Sequence, residues 1–441
     1  MPSNTHPSAR AVLAGLPASF PELYTFSDVV RVMEVAKKYG QPEGTPITHT
    51  PEYTRPGGPN AYVCTEIEEG WVQGFFPGSL WLIAERERLL PGSLKNKHGG
   101  LKTPAYSLDQ VETLARRWQS PFRHQAPSPA INHDQGFRFQ PCYGRDYEFY
   151  KTEDCRKALL EAADSLVDRY DPKCMRSWDF MFREDKPSRH PGNLDQHFLM
   201  NLDLMYLATE LTGDMKYADI ATAQAERMGQ THVRPDGTTY HVVDHGSDGS
   251  NPQGMTAQGY ADESCWARGQ AWVMYGMAQC ALRTGRADFI ATTRRLTDVF
   301  LARLPPSGVP LWDFDAPKPC PYDASAGTVA ARALQMLYVL LRESNEAAAE
   351  HYLDASFRLV KDILLECAAP PATLNSDGVQ WGEGEWEPIL MHSTIDGNPH
   401  SAGAKLDHGL VYADYYLLEF ANEALKLQRE EQRRTKEYAS L

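Results

Sequence analysis

No stretch of this 441-residue chain is apolar over the roughly 18–20 residues that a bilayer-crossing helix needs. Residues 1–20 also lack the basic start and continuous apolar segment of a secretory leader. The sequence therefore predicts a protein that does not span a membrane, is not exported, and works in the cytoplasm. Basic residues are in deficit. The 44 Lys and Arg against 58 Asp and Glu leave a formal charge of −14, which repels nucleic acid and anionic membranes at long range. Cysteine is sparse and unpatterned. Its eight occurrences, at 64, 142, 155, 174, 265, 280, 320 and 367, include no CxxC pair and no histidine at metal spacing, so neither a disulfide framework nor a metal site is expected. There is no P-loop, no dinucleotide-binding glycine fingerprint, no HExxH helix and no GxSxG elbow, and no cofactor is implied. Strand signals are few and short.

What the chain does have is helical periodicity, over roughly 22–39, 71–90, 107–119, 147–169, 194–212, 214–229, 264–284, 286–304, 324–343, 347–367 and 406–428. Thr212-Gly213-Asp214 and Thr284-Gly285-Arg286 place glycine where a helix end needs a left-handed residue, so these segments pair into hairpins. Eleven or twelve helices in antiparallel pairs fit a closed toroid of six hairpins or an open solenoid, and the count does not separate them. Long polar loops at 40–70, 91–106, 120–146, 231–262, 305–323 and 369–405 are the expected seat of function, the last as a mobile lid. Nothing resembles an interdomain linker. Residues 21–428 read as one domain, with 1–20 and the charge-rich 429–441 frayed.

Two carboxylates stand out. Asp195 falls in the run from Asn193 to Leu202, where Phe198, Leu199 and Leu202 share its face at helical spacing, and burial there would raise its pKa enough for a general acid. Buried aspartates are more often satisfied by caps, hydroxyls or arginines, so the helix alone does not decide the point. Asp134 lies in a loop opened by Ser128-Pro129, where an aspartate is ordinarily a turn residue; two carboxylates from separate elements are, however, the usual apparatus of glycosidic chemistry. Nine Trp and 21 Tyr supply flat rings for stacking on sugars, as well as for core. The densest cluster runs from Gln258 to Trp272, with Trp266, Arg268 and Trp272 in the first turns of a helix. There Arg268 could fork a carboxylate or form a structural ion pair. His241 could set an imidazole over a pocket, and Gly74 and Gly78 in the Trp71–Trp81 run permit close backbone approach.

Trp71-x-x-Gly74-Phe75-x-Pro77-Gly78-x-x-Trp81, His133-Asp134-x-Gly136-Phe137, Leu194-Asp195 followed by Leu199-Met200-Asn201-Leu202, Tyr240-His241, Gln258-Gly259, Trp266-x-Arg268-Gly269-Gln270-Ala271-Trp272, Trp312-Asp313-Phe314 and Asp414-Tyr415-Tyr416 together resemble the unsaturated glucuronyl hydrolases, glycoside hydrolase family 88. The resemblance implies an all-α (α/α)6 toroid with its site at one mouth. It implies action on oligosaccharides ending in a 4,5-unsaturated uronic acid, as a monomer or homodimer without cofactor. In that chemistry an aspartate protonates carbon 4, charge develops at carbon 5, and water adds there. Carried to this chain, Asp195 is the general acid and base, Asp134 the second essential carboxylate, and Trp71, His241, Gln258, Trp266, Arg268 and Trp272 bind the sugar. The chain departs from the pattern at Asp203, where an apolar residue or proline is common, at Ala257, where histidine is common, and at Tyr412-Ala413 in place of Trp-Gly. The first two of these are expected near the pocket. Rival readings are an unsaturated rhamnogalacturonyl hydrolase, a sugar epimerase using His133 and His241, and a non-catalytic helical scaffold.

Overall fold

Fourteen helices and seven short strands make up a computed structural model that describes residues 8–68, 70–95, 106–127, 133–170, 172, 194–245, 250–401 and 403–440, without side chains for 194–198 and 438–440. The helices are α1 (Ala9–Gly15), α2 (Phe26–Tyr39), α3 (Phe75–Leu89), α4 (Leu108–Gln119), α5 (Gln135–Phe139), α6 (Arg145–Tyr150) and α7 (Glu153–Val167). They continue as α8 (Leu202–Thr212), α9 (Lys216–Thr231), α10 (Ala267–Thr284), α11 (Ala287–Ala302), α12 (Ala324–Leu341), α13 (Glu346–Cys367) and α14 (Val411–Ser440). The strands are β1 (His49–Thr54), β2 (Tyr62–Glu66), β3 (Leu194–Asp195), β4 (Val242–Asp244), β5 (Gln253–Met255), β6 (Thr373–Asn375) and β7 (Gly378–Gln380), in three small antiparallel sheets.

The hairpins α3–α4, α8–α9, α10–α11 and α12–α13 form as the turn glycines require, with Gly213 and Gly285 at φ 75° and 67°. Packing of α10 on α12, α12 on α14 and α14 on α3 closes the ring, which excludes the open solenoid. Inner and outer helices differ in composition. From Ala267 to Ala278 every residue of α10 is buried, and α12 is nearly as apolar on all sides, whereas α4 and α9 bury one stripe. Helix α12 is long and apolar enough by composition to cross a bilayer, a property the sequence reading did not credit to any segment; in the ring it is an inner helix.

Several expectations are corrected. Both termini, expected to fray, carry helix. α1 is capped by Ser8, buries Leu13 and gives its Ala9 N–H to Asp354 Oδ1 at 2.6 Å, while α14 runs on past 428 because Gln428 Nε2 donates to the carbonyls of Ala14 and Leu16. The described part of the 120–146 segment, expected as loop, folds into a 3-10 turn at Ser120–Gln125, α5, a π turn at Gln140–Gly144 and the start of α6. The single helix expected over 147–169 breaks at Lys151, whose φ of 51° ends α6, and Thr152 caps α7.

Asp414 ties the ring to the segment before it. Its carboxylate accepts the N–H groups of Ile389 and Leu390 and the Tyr62 hydroxyl, each at 2.9 Å, and burial pushes its pKa up to about 7. The folded protein therefore holds this proton up to about pH 7, while the unfolded chain releases it near 3.8. The contribution to stability is full below about pH 4 and is lost as pH rises toward 7. Asp414→Asn is expected to flatten that part of the melting temperature's pH dependence, and an unchanged slope would contradict the assignment.

Candidate active site

The sheet β3–β4–β5 assembles the first part of the site. Asp195 pairs with Val242, the residue after His241, and Val242 pairs in turn with Met255, which leads into Thr256–Gln258. Asp195 is therefore on an extended strand, followed by a 3-10 turn at Gln196–Asn201 before α8 begins. The expected helical face around it does not exist, because pairing with β4 satisfies this backbone from a distant part of the chain. The Asp195 side chain lies outside the described residues.

Asp134 opens α5 and is buried beside His133, whose Nε2 lies 3.3 Å from Oδ1. What aligns it is Gly136. Its N–H donates to Asn201 Oδ1 at 2.6 Å, and a Cβ there would sit 2.4 Å from the Met200 carbonyl oxygen, so only glycine lets α5 seat on the turn that follows Asp195. Gly74 allows α3 the same approach to the carbonyls of Phe137 and Arg138. The segments carrying the two carboxylates are thus locked together. The Ser128-Pro129 turn lies outside the described residues.

An aromatic run lines the same end of the ring. Phe137 meets Trp71 at 5.3 Å and Trp272 at 5.0 Å, Tyr412 meets both tryptophans, and Trp266 stacks on His241 at 4.4 Å. Trp71 is half-buried and can offer a face. Trp272 is 0% exposed, packed among Phe137, Tyr412 and Tyr416, so it supports the wall and is not the platform expected. Phe137 and Tyr412 were not recognised as connectors; their place in motifs was the only sequence signal.

His241 Nδ1 accepts the N–H groups of Ala257 at 3.1 Å and Gln258 at 3.3 Å, which assigns its proton to Nε2. Gln258 Nε2 donates to the Ile395 carbonyl, and its own carbonyl accepts from Trp312 Nε1, both at 3.1 Å. Asp313, whose carboxyl burial raises, accepts Tyr260 N–H and the Ser264 hydroxyl and so fixes the loop that carries Gln258.

Arg268 is corrected from a substrate fork to an internal one. Nη1 donates to Asp323 Oδ2 at 2.7 Å and the Thr394 carbonyl at 2.6 Å, Nη2 donates to the Ile395 carbonyl at 2.7 Å, and both charged side chains are fully buried. Thr394, Ile395 and Asn398, within the 369–405 segment expected as a mobile lid, are held by these bonds and by Asn398 Nδ2 on the Gly259 carbonyl. Asp203 pairs with Arg283 at the end of α10 opposite Trp266, and so away from the pocket it was expected to border. Asp323 was not singled out from sequence, although an aspartate capping a long apolar helix was readable there. Among the described residues no group of three or more His, Cys, Asp or Glu side chains could hold a metal.

A closed ring of helical hairpins, with paired carboxylate segments and an aromatic wall at one end, has the layout of an α/α-barrel glycoside hydrolase. Residues 117–288 match the model described as Glycosyl Hydrolase Family 88. An unsaturated glucuronyl hydrolase of Formosa agariphila is 31% identical over 362 residues, 79% of this chain and 78% of that one. Another, from Bacillus sp. strain GL1, is 31% identical over 375 residues, 82% and 88% of the two chains. The crystal structure of unsaturated glucuronyl hydrolase from Bacillus sp. GL1 superposes with a TM-score of 0.71 at 27% identity, covering 90% of this chain and 96% of that one. The chain belongs to glycosyl hydrolase family 88, and it is a glycoside hydrolase with the (α/α)6 barrel fold.

Proposed function

We propose that the protein removes a 4,5-unsaturated uronic acid from the non-reducing end of oligosaccharides released by polysaccharide lyases. The observation that carries this reading is the Gly136–Asn201 clamp, which seats the Asp134 helix on the segment of Asp195. In the proposed reaction Asp195 protonates carbon 4 of the enol ether and positive charge develops at carbon 5. Asp195 then takes a proton from water as the water oxygen bonds to carbon 5, and the hemiketal opens to release the aglycone. Asp134 is the second carboxylate at the sugar, and Trp71, His241, Gln258 and Trp266 bind it, with Trp272 behind them. The same reading has the enzyme acting in the cytoplasm as a monomer or homodimer.

The test is loss of enol-ether absorbance in the near ultraviolet over a panel of lyase-generated disaccharides, with saturated disaccharides as controls. Turnover of at least one unsaturated substrate is expected. A flat trace on all of them would overturn the proposal.

A further inference from the structure

Arg138 stands one turn beyond Asp134 on α5, its N–H donating to the Asp134 carbonyl at 3.2 Å. Its side chain is fully buried, and none of its three guanidinium nitrogens hydrogen-bonds to a group among the described residues. The other buried arginines have partners at contact distance: Arg268 on Asp323, Arg145 on Glu85 and Glu419, Arg86 on Asp28, and Arg31 on the carbonyls of Pro370, Trp381 and Trp386. The Arg138 guanidinium lies 5.9 Å from the centre of the Phe139 ring. Burial pulls its pKa down to about 10, so it stays charged at neutral pH, and the carboxylate that opposes this most strongly is Asp134, followed by Glu68.

The other groups around α5 have partners of their own or are neutral. Glu68 is largely exposed and is held by Gln125 and His124. The Cys142 thiol on the π turn is kept neutral by burial, Glu161 on α7 faces Arg123, and Asp203 on α8 faces Arg283. His133 lies on the other side of Asp134 in sequence and contacts its Oδ1. A buried cation and a buried carboxylate on one helical turn, without contact, couple through space in a poorly screening interior.

We propose that Arg138 is a positioning residue that acts through Asp134, keeping this carboxylate ionised and directed at the bound sugar. The proposal rests on the function given above. It requires no contact between Arg138 and substrate, consistent with its complete burial.

The test combines kinetics with a melting cycle. Arg138→Met is expected to lower kcat about tenfold or more with KM within about twofold, and Arg138→Lys to restore most of the rate. In the wild-type background Arg138→Met should lower the melting temperature, because Asp134 loses its counter-charge. In an Asp134→Asn background the same change should raise it, because a buried cation with no counter-charge is removed. If Arg138→Met does not fold, Arg138→Gln serves in the same cycle. Wild-type kcat in the folded variant, or a melting shift of one sign in both backgrounds, overturns the proposal. Reversal of the shift with no turnover of any unsaturated disaccharide overturns the function proposed above and with it the catalytic part of Arg138; turnover without reversal overturns the Arg138 proposal alone.

Discussion

Asp195→Asn is expected to lower kcat by about 10²–10⁴-fold, the usual cost of losing one acid–base group. The fold should survive. Leu194 and Asp195 join β4 as extended backbone, which an asparagine of the same shape can reproduce, so circular dichroism and melting temperature should match the parent. The amide cannot deliver a proton to carbon 4 or take one from water, so the loss falls on turnover and not on binding. A variant that keeps half the parent rate on a good unsaturated disaccharide would remove Asp195 from the mechanism.

The largest effect on stability is expected at Arg268. Replacing it by alanine leaves the fully buried Asp323 carboxylate without its counter-charge and the Thr394 carbonyl without the donor it has in Arg268, while the Ile395 carbonyl keeps Gln258 Nε2. Breaking such a pair from one side costs about 3–5 kcal/mol. Arg268→Lys keeps the charge but cannot reach both carbonyls and the carboxylate with one nitrogen, so it should also be destabilised, though less. Urea unfolding of the two variants and of Arg268→Ala with Asp323→Ala checks this, the double change recovering part of the loss. Should Arg268→Lys unfold like the parent and raise KM alone, the arginine reads substrate and the internal assignment is wrong.

The hairpins were legible because their punctuation is local: a glycine at the left-handed position after α8 or α10 does the same work wherever the helix sits in space. Asp195 was legible as a residue of interest but not in its conformation. Leu199 and Leu202 gave the run its helical period, yet α8 begins only at Leu202, and the state of Leu194 and Asp195 is settled by a strand more than 40 residues further on. The position of Arg268 at the start of a helix was readable, but its partner is 55 residues away and the carbonyls it holds are 126 and 127 away. Separations of that size leave no periodic trace, so a structural fork and a substrate fork look alike in sequence. Tyr412 was visible only as a departure; its role in joining Trp71 to Trp272 depends on α14 closing the ring.

That closure also governs the order in which the protein can become active as it leaves the ribosome. The loop at Gln258 and Gly259 is tied down by carbonyl and amide groups at 395 and 398, and β1 is joined to Gly409 through the Thr54 N–H at 3.0 Å. Asp134, Asp195 and the Trp266 helix are all synthesised long before these anchors exist. A nascent chain halted short of residue 410 therefore holds both carboxylates but lacks Tyr412 and the helix that closes the ring, and such a fragment is expected to be inactive.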